Sequence, residues 1–397
     1  MIMRIFVSLF LLLLFNSCAS LHHSNLPTSI LITQFPFTIL TGGTVILKAQ
    51  LEDYKDSLNF VFDTGSGGIS LDSSTIEYLN IKSTKSNTTI RGIAGIRKVN
   101  FVYKRSLKFS GLQVDSLDFH INNYDILTSS YGLKVDGVIG LSFLRRYIVM
   151  VNYDTRIIEV YTPGKIKYPR GGHLLKPIFY GLPVISTDVL DNTLTQGEFI
   201  FDTGAGLNML LNEDYVKDSS LLKKNRKLFV TQAEGLGGKK AMKITVIKRI
   251  EIGPYKFRKV PIYIFKDDFN ITNYPKMGGV IGNDILRRFN LILNYPYQEI
   301  YIRPNTHFYD DFDYSYTGLG LYQIDGEIYV EDVVEPSPAH KAGLIPGDII
   351  VAIDNTFTNS LQVYKHILQN AGNTVKLLVK RSGDLIILNL EIQHIMH

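Results

Sequence analysis

The sequence contains no tryptophan, a single cysteine and only one long apolar run among its 397 residues. One cysteine excludes a framework of intrachain disulfides and any zinc finger built on cysteine. Because the apolar run lies at the extreme N-terminus, a protein that crosses a membrane several times is also excluded. The formal charge of +5 arises from 42 basic and 37 acidic residues spread along the chain. That excess is too dilute to favour a nucleic-acid partner.

Histidine is also sparse and scattered. The nine histidines show no HExxH or other ligand spacing, so we expect neither a metal site nor a cofactor. No motif supports Ser-His-Asp catalysis. The remaining composition, 45% hydrophobic and 20% charged, is typical of a globular protein, and the length predicts two or three domains.

The N-terminal segment has the layout of a secretory signal peptide. Arg4 precedes an apolar run of about 11 residues, Ile5–Phe15, which is too short to span a bilayer. Cys18 follows at the expected cleavage point, and the surrounding residues resemble the lipobox of bacterial lipoproteins. This resemblance implies a signal peptide over 1–17, a lipid-modified Cys18, a tether over 18–30 and a place in the cell envelope, at the outer membrane facing the periplasm. The alternative is a plain signal peptide with an incidental cysteine.

An internal repeat organises the next 270 residues. FVFDTGSG at Phe60–Gly67 recurs as FIFDTGAG at Phe199–Gly206, and GVIG at 137–140 recurs at 279–282. The order is the same in both halves, so we predict two homologous lobes, over 31–163 and 170–304. Each lobe is predicted to be mainly β, with strands such as Val45–Leu51. A short helix is predicted after each GVIG, at Ser142–Tyr147 and Asp284–Phe289, and each helix is predicted to lead into a β-hairpin.

Each repeated Asp ends an apolar strand and enters a Thr-Gly loop. If the lobes pack about a pseudo-twofold axis, Asp63 and Asp202 meet there and share one proton, because two adjacent carboxylates cannot both ionise readily. One carboxyl group could then activate a water while the other donates a proton.

These motifs resemble the aspartic peptidase family, of the retropepsin or pepsin type, with both halves in one chain. The resemblance implies a mainly β, bilobal acid-protease fold with pseudo-twofold β-barrel lobes, and it makes Asp63 and Asp202 the catalytic pair. It further implies reciprocal hydrogen bonds between Thr64 and Thr203. The residues expected to support the active-site loops are Thr64, Gly65, Ser66, Thr203, Gly204 and Ala205.

Two features depart from the pepsin pattern. Ser66 can donate a hydrogen bond to its neighbouring carboxylate whereas Ala205 cannot, so we expect a less acidic dyad and a weakly acidic to neutral pH optimum. No flap tyrosine is found in the first lobe. Instead, each lobe has one Gly-rich segment about 30 residues after its Asp. We predict that these two segments are mobile flaps; the alternative is that they are ordinary surface hairpins. Their glycines are Gly92, Gly95, Gly235 and Gly237.

The C-terminal region is predicted to be a linker over 305–317 and a separate module over 318–397. Its GLGL run and the stretch SPAHKAGLIPGDIIVAIDN at 337–355 resemble a PDZ domain, with a β-rich sheet and a helix. That resemblance implies a carboxylate-binding loop at Gly318, Leu319, Gly320 and Leu321, and a peptide added beside the sheet. The alternative is that the domain only packs on the lobes.

The sequence therefore predicts a lipid-anchored aspartic endopeptidase that cleaves polypeptides, with a PDZ domain that recruits a peptide or regulates access. The rival interpretation is a catalytically inactive envelope receptor that binds peptides through the PDZ domain.

Three pairs of basic residues remain to be placed. Arg145-Arg146 and Arg287-Arg288 could pair with carboxylates or face solvent, and we favour solvent. Lys239-Lys240 is expected in an exposed turn.

Overall fold

The structure, a computed structural model, describes residues 26–52, 54–93, 95–235 and 238–396. Cys18 and the predicted signal peptide over 1–17 lie outside the described residues, as does Gly237. No helix in the described ranges combines the length and the apolar character needed to cross a bilayer. The fold is mainly β, with two barrel lobes followed by a smaller β-rich region.

The first lobe is a six-stranded barrel. β3, β4, β10, β5, β9 and β8 are hydrogen-bonded in that order, and β8 pairs again with β3 to close it. The strands of this lobe are β1 (Leu31–Pro36), β2 (Thr38–Ile39), β3 (Val45–Leu51), β4 (Leu58–Phe62), β5 (Ile69–Asp72), β6 (Thr89–Gly92), β7 (Gly95–Lys98), β8 (Phe101–Phe109), β9 (Leu112–Asn122), β10 (Gly137–Ile139), β11 (Ile148–Asn152) and β12 (Ile157–Tyr161). Its helices are α1 (Ser73–Tyr78), α2 (Asp125–Tyr131) and α3 (Leu141–Leu144).

The second lobe repeats this arrangement. β15, β16, β21, β17, β20 and β19 form the barrel, which closes where β19 pairs with β15. Its strands are β13 (His173–Leu175), β14 (Ile178–Phe179), β15 (Pro183–Leu190), β16 (Leu194–Phe201), β17 (Met209–Asn212), β18 (Phe229–Gly235), β19 (Gly238–Ile252), β20 (Tyr255–Phe265), β21 (Gly279–Ile281), β22 (Phe289–Asn294) and β23 (Glu299–Pro304). Its helices are α4 (Glu213–Asp218), α5 (Asn283–Leu286) and a 3₁₀ turn at Tyr295–Tyr297.

A shared sheet joins the two lobes. It runs in the order β1-β12-β11-β22-β23-β13, and β11 pairs antiparallel with β22 so that Ile148 lies opposite Asn294. The predicted hairpins after each GVIG supply its four central strands. Their apolar residues are almost fully buried, including Val149 and Leu293 at 0% exposure. Burial of this shared core fixes the relative position of the lobes.

The predicted strand Val45–Leu51 is confirmed as β3, and its burial follows the alternation of its residues. Leu47, Ala49 and Leu51 point into the barrel, whereas Lys48 and Gln50 are exposed. This period of two is what a half-buried strand requires.

The third region is a five-stranded antiparallel sheet with two short helices. The sheet order is β25-β26-β27-β28-β29, and β24 pairs separately with β30. The strands are β24 (Ser315–Tyr316), β25 (Leu319–Ile324), β26 (Glu327–Val333), β27 (Ile349–Ile353), β28 (Thr374–Arg381), β29 (Asp384–Glu391) and β30 (Gln393–His394), and the helices are α6 (Pro338–Lys341) and α7 (Leu361–Ile367). A hydrophobic core of its own, including Val330, Leu377 and Leu390, fills the space between sheet and helices.

The segment predicted as a linker packs against the second lobe. Phe308 and Phe312 cover Phe257 of that lobe, with ring centroids 5.1 and 6.3 Å away. Arg288, which we expected to face solvent, is only 1% exposed. Its guanidinium donates to the carbonyls of Asp310 and Asp311 and stacks 4.0 Å from the Phe312 ring. The solvent-facing prediction is wrong for Arg288 because this returning segment covers it.

Candidate active site

The two Asp loops are fixed by the GVIG strands beside them. Asp63 follows β4, and its backbone N–H donates to the carbonyl of Ile139 at 2.9 Å. Asp202 follows β16, and its N–H donates in the same way to Ile281 at 3.0 Å. β10 and β21 therefore hold equivalent loops in equivalent positions, as the repeat predicts.

The glycines that open and close each GVIG are required by close backbone approach. A Cβ atom at Gly137 would lie 2.1 Å from the Ser70 carbonyl oxygen, and one at Gly279 would lie 1.9 Å from that of Leu210. Such distances are well inside van der Waals contact, so a side chain would displace the strand that supports the Asp loop.

The two threonines of the loops exchange hydrogen bonds across the lobe boundary. Thr64 Oγ1 accepts from the Thr203 N–H at 2.9 Å and donates to the Phe201 carbonyl at 2.7 Å. Thr203 Oγ1 accepts from the Thr64 N–H at 3.1 Å and donates to the Phe62 carbonyl at 3.1 Å. Both side chains are at most 1% exposed. Four buried bonds thus fix one loop against the other, in the reciprocal arrangement expected from the sequence.

The glycine of each DTG lies against the carboxylate of the opposite lobe. A Cβ at Gly65 would be 2.3 Å from Asp202 Oδ2, and a Cβ at Gly204 would be 2.4 Å from Asp63 Cγ. Only glycine leaves room for this mutual approach. The two carboxyl groups hydrogen-bond to each other at the floor of the cleft.

The environment of this pair favours its protonated form. Removal from water and then the neighbouring Asp202 carboxylate raise the pKa of Asp63 well above its usual range. Removal from water also raises the pKa of Asp202, although the hydrogen bond from Asp63 and backbone N–H groups oppose that rise. The two carboxyl groups titrate as one unit, and the pair retains one proton above the pH at which a free carboxyl group ionises.

Backbone groups supply the other hydrogen bonds to the dyad. Gly65 N–H donates to Asp63 at 2.7 Å, and the N–H groups of Gly204 and Ala205 donate to Asp202 at 2.8 and 3.0 Å. Within the described residues the Ser66 hydroxyl makes no hydrogen bond to Asp63. The backbone N–H of Ser66 donates to Asp63 instead. The hydrogen bond that we expected from the Ser66 hydroxyl, and that Ala205 cannot make, is therefore not what distinguishes the two loops in this conformation.

A cavity of about 1030 Å³ lies above the dyad and is lined by residues of both lobes. The first Gly-rich segment forms the β6–β7 hairpin, where Gly92 pairs with Gly95. The second forms the β18–β19 hairpin, where Gly235 pairs with Gly238. We call these hairpins the first and second flaps. A Cβ at Gly235 would lie 2.7 Å from the side chain of Ile93, so the two tips meet over the cavity.

Several residues that line the cavity were not predicted from the sequence. His120 of β9 faces the cavity, and burial lowers its pKa to about 4, so its ring is neutral over most of the acid range. Tyr131 ends α2 at the cavity, and burial raises its pKa to about 12. Lys365 reaches the same cavity from α7 of the C-terminal region. No local pattern marks these residues, since only the tertiary fold brings them to the cleft.

The predicted carboxylate-binding loop lies at the start of β25. Gly318 has a φ of +70°, and a Cβ there would lie 2.2 Å from Ser337 Cβ, so glycine is required. Leu319, Gly320 and Leu321 are already paired with β26, with a register shift between the last two. The Leu319 N–H donates to Thr317 Oγ1 at 3.2 Å.

Two barrels that repeat each other and meet at a pair of carboxyl groups beneath two hairpins define the class of bilobal acid-protease folds. The aspartyl protease family model matches the chain twice, over residues 47–143 and 188–285, and a PDZ domain model matches residues 329–381. The chain thus contains one aspartyl protease domain per lobe and a C-terminal PDZ domain. No curated protein matches the sequence.

Proposed function

We propose that the protein is an aspartic endopeptidase whose catalytic pair is Asp63 and Asp202. The observation that supports this most directly is the reciprocal geometry of the two loops, in which each glycine abuts the opposite carboxyl group. A turn-capping Asp would need neither that approach nor the exchange of bonds between Thr64 and Thr203. The geometry instead suits two carboxyl groups that act as one unit.

In the proposed reaction Asp63 holds the shared proton and Asp202 is ionised. Asp202 takes a proton from a water molecule while the water oxygen bonds to the peptide carbonyl carbon. Asp63 gives its proton to the carbonyl oxygen, which yields a neutral gem-diol. The proton on Asp202 then passes to the peptide nitrogen, the C–N bond breaks, and one hydroxyl proton returns to the dyad.

The substrate in this proposal is an extended polypeptide held beneath the two flaps. The flap hairpins line the cavity from both lobes, and their backbone can add to an extended chain as neighbouring strands do. Contact between Ile93 and Gly235 closes the cavity above the dyad, so the flaps must separate when a substrate enters.

The experiment that tests the proposal is cleavage of a peptide library by the purified full chain between pH 3 and 8. Asp63→Asn and Asp202→Asn should each abolish cleavage, whereas Asp384→Asn, which removes an exposed carboxylate on β29, should leave it intact. Because the pKa values of the dyad are raised, we expect the rate to peak at weakly acidic to neutral pH. A maximum at pH 2–3 contradicts this reasoning. A folded protein that cleaves nothing favours the peptide-binding receptor.

We further propose that the PDZ domain acts on the same substrate, by recruiting a peptide terminus or by regulating access to the cleft. Its direct contact with the second flap supports regulation: the Tyr322 hydroxyl donates to Glu234 at 2.6 Å. Tyr322→Phe tests this proposal, because the substitution removes the hydrogen bond and keeps the PDZ domain.

We also propose that the protein is a lipoprotein of the bacterial envelope, held by Cys18 at the outer membrane and facing the periplasm. The position of the single cysteine, three residues after the apolar run, supports this proposal. Radiolabelled palmitate should enter the wild-type chain and not Cys18→Ser in a bacterial host. Equal labelling of both chains contradicts the proposed attachment point.

A further inference from the structure

The PDZ domain is docked on the first lobe through helix α7. Gln362 Oε1 accepts the Thr41 N–H at 2.7 Å, and its Nε2 donates to the Tyr131 carbonyl at 2.7 Å. A Cβ at Gly132 would lie 2.9 Å from Leu361 Cβ, so the end of α2 and the helix of the PDZ domain are in close contact. This face of α7 is therefore turned toward the catalytic lobes.

The same domain holds the second flap. Asp332 of β26 accepts hydrogen bonds from Gln232 Nε2 at 2.5 Å and from Lys239 Nζ at 2.6 Å. The Lys239 ammonium also lies 4.6 Å from the centre of the Tyr322 ring. Lys239 is exposed, as expected, but it lies on β19 rather than in the turn and is paired with the PDZ domain. With one face on lobe one and another on the flap of lobe two, the domain borders the cavity, and Lys365 is its lining residue there.

Lys365 of α7 extends from the PDZ domain into the cavity above Asp63 and Asp202. Its ammonium donates to the Ser130 carbonyl at 2.5 Å, and in the described part of the chain this is its one hydrogen bond. An ammonium carries three N–H donors, so two remain for a ligand. Burial lowers the pKa of Lys365, and the charge of Glu234 partly offsets that effect.

The groups around this ammonium do not neutralise it. Glu234, on the second flap, is the carboxylate that acts on it, yet that carboxylate is already engaged by the Tyr322 hydroxyl and forms no ion pair with Lys365 among the described residues. Tyr131 faces the same cavity with a raised pKa and stays neutral. A cation that is partly removed from water and lacks a paired anion is stabilised by a carboxylate brought to it.

We infer that Lys365 binds a carboxylate of the substrate and so makes the PDZ domain part of the specificity of the protease. The carboxylate can belong to an Asp or Glu side chain or to the end of the substrate chain. This inference rests on the proposed function, since it concerns the substrate of the same cleft. It assigns to the PDZ domain a direct contact with that substrate.

The test compares cleavage of matched peptides by the full-length wild type, Lys365→Met and Lys380→Met. Lys380 is an exposed lysine of β28 in the same domain, so its variant controls for the loss of one charge. In one arm Glu replaces Gln at each position of a peptide with an amidated end. In the other arm the peptide has no acidic side chain and a free or amidated C-terminus. The two arms distinguish a side-chain carboxylate from a terminal one.

We expect the wild type and Lys380→Met to prefer the carboxylate at one position by about tenfold in kcat/KM, which is the usual contribution of one charge-assisted hydrogen bond. Lys365→Met should lose this ratio, and Lys365→Glu should invert it toward a basic residue. No preference in the wild type, or a preference that survives in Lys365→Met, overturns the inference.

Binding of the same peptides separates this inference from the proposed function. Fluorescence anisotropy is measured with Asp202→Asn, alone and combined with Lys365→Met. Tighter binding of the carboxylate peptide that disappears with Lys365→Met supports the inference even if the wild type cleaves nothing. Equal binding of acid and amide peptides overturns it even if the wild type is an active protease.

Discussion

The exchange of hydrogen bonds between Thr64 and Thr203 yields a quantitative prediction. Thr203→Val keeps the shape of the side chain and removes a hydroxyl that is 0% exposed. It leaves the Thr64 N–H and the Phe62 carbonyl without their 3.1 Å partners. Each buried backbone group that loses its partner costs about 1–3 kcal/mol, so the free energy of unfolding should fall by about 2–6 kcal/mol.

Thr187→Val is the matched control. Thr187, on β15, is 1% exposed, and its hydroxyl has no hydrogen-bond partner among the described residues. Replacing that unpaired hydroxyl with a methyl group should leave stability unchanged or raise it slightly. Both variants make the same chemical change in a buried β protein, so the difference between them isolates the contribution of the two hydrogen bonds.

Urea unfolding measures the effect on stability, and kcat/KM for a cleaved peptide measures the effect on the dyad. Thr64→Val should resemble Thr203→Val, and the double variant should cost less than the sum of the two, because both hydroxyls hold the same pair of loops. If Thr203→Val unfolds at the same urea concentration as Thr187→Val, the bonds do not hold the loops and the reasoning is refuted.

Three further predictions concern the dyad, a buried carboxylate and the second flap. Asp63→Asn should gain stability over the wild type as pH rises from 4, by up to about 1.4 kcal/mol per pH unit until the raised pKa of the dyad is passed; a pH-independent difference in urea unfolding contradicts this. Asp72→Asn should lose about 2–3 kcal/mol at pH 7. Burial raises the pKa of Asp72, but hydrogen bonds from Lys134 and Ser74 outweigh it, and the pKa is lowered. That stabilisation is present above pH 4 and is lost as pH falls through the lowered pKa of Asp72, so the difference between Asp72→Asn and the wild type should shrink below pH 4. Tyr322→Phe should speed amide hydrogen exchange in β18 and β19 by about threefold to tenfold, which corresponds to one hydrogen bond. Tyr329→Phe, at a half-buried position of β26 whose hydroxyl donates only to Glu327 of the same strand, should not.

The sequence alone predicted the two lobes and the loops at their boundary. A DTG motif is a local feature, in which an apolar strand leads directly to a polar turn, and its repetition with GVIG revealed the pseudo-twofold arrangement. The prediction of strand Val45–Leu51 was equally local, because alternating burial depends on neighbouring residues. Helices after each GVIG were also predicted, although α3 ends at Leu144 and α5 at Leu286, a few residues earlier than expected.

The prediction that failed concerned a charged residue whose surroundings come from a distant segment. Arg288 was expected to face solvent and is buried by the chain that returns at 310–312. Charge itself gave the wrong indication there, since a charged group can be buried once a partner compensates for the loss of water. Lys239 is exposed, as expected, but its contact with Asp332, 93 residues away, was not predicted.

The amino-acid sequence by itself thus determined the two-lobed β fold, the pair of aspartates and the presence of a PDZ domain, because each depends on short motifs that shape the chain locally. Only the tertiary structure decided where the PDZ domain sits. It places Gln362 against Tyr131 and Lys365 against Ser130, which are separated by 231 and 235 residues. Contacts over such separations depend on how complete domains pack, and no local pattern encodes them. That packing brings a lysine of the third domain into the cleft of the first two.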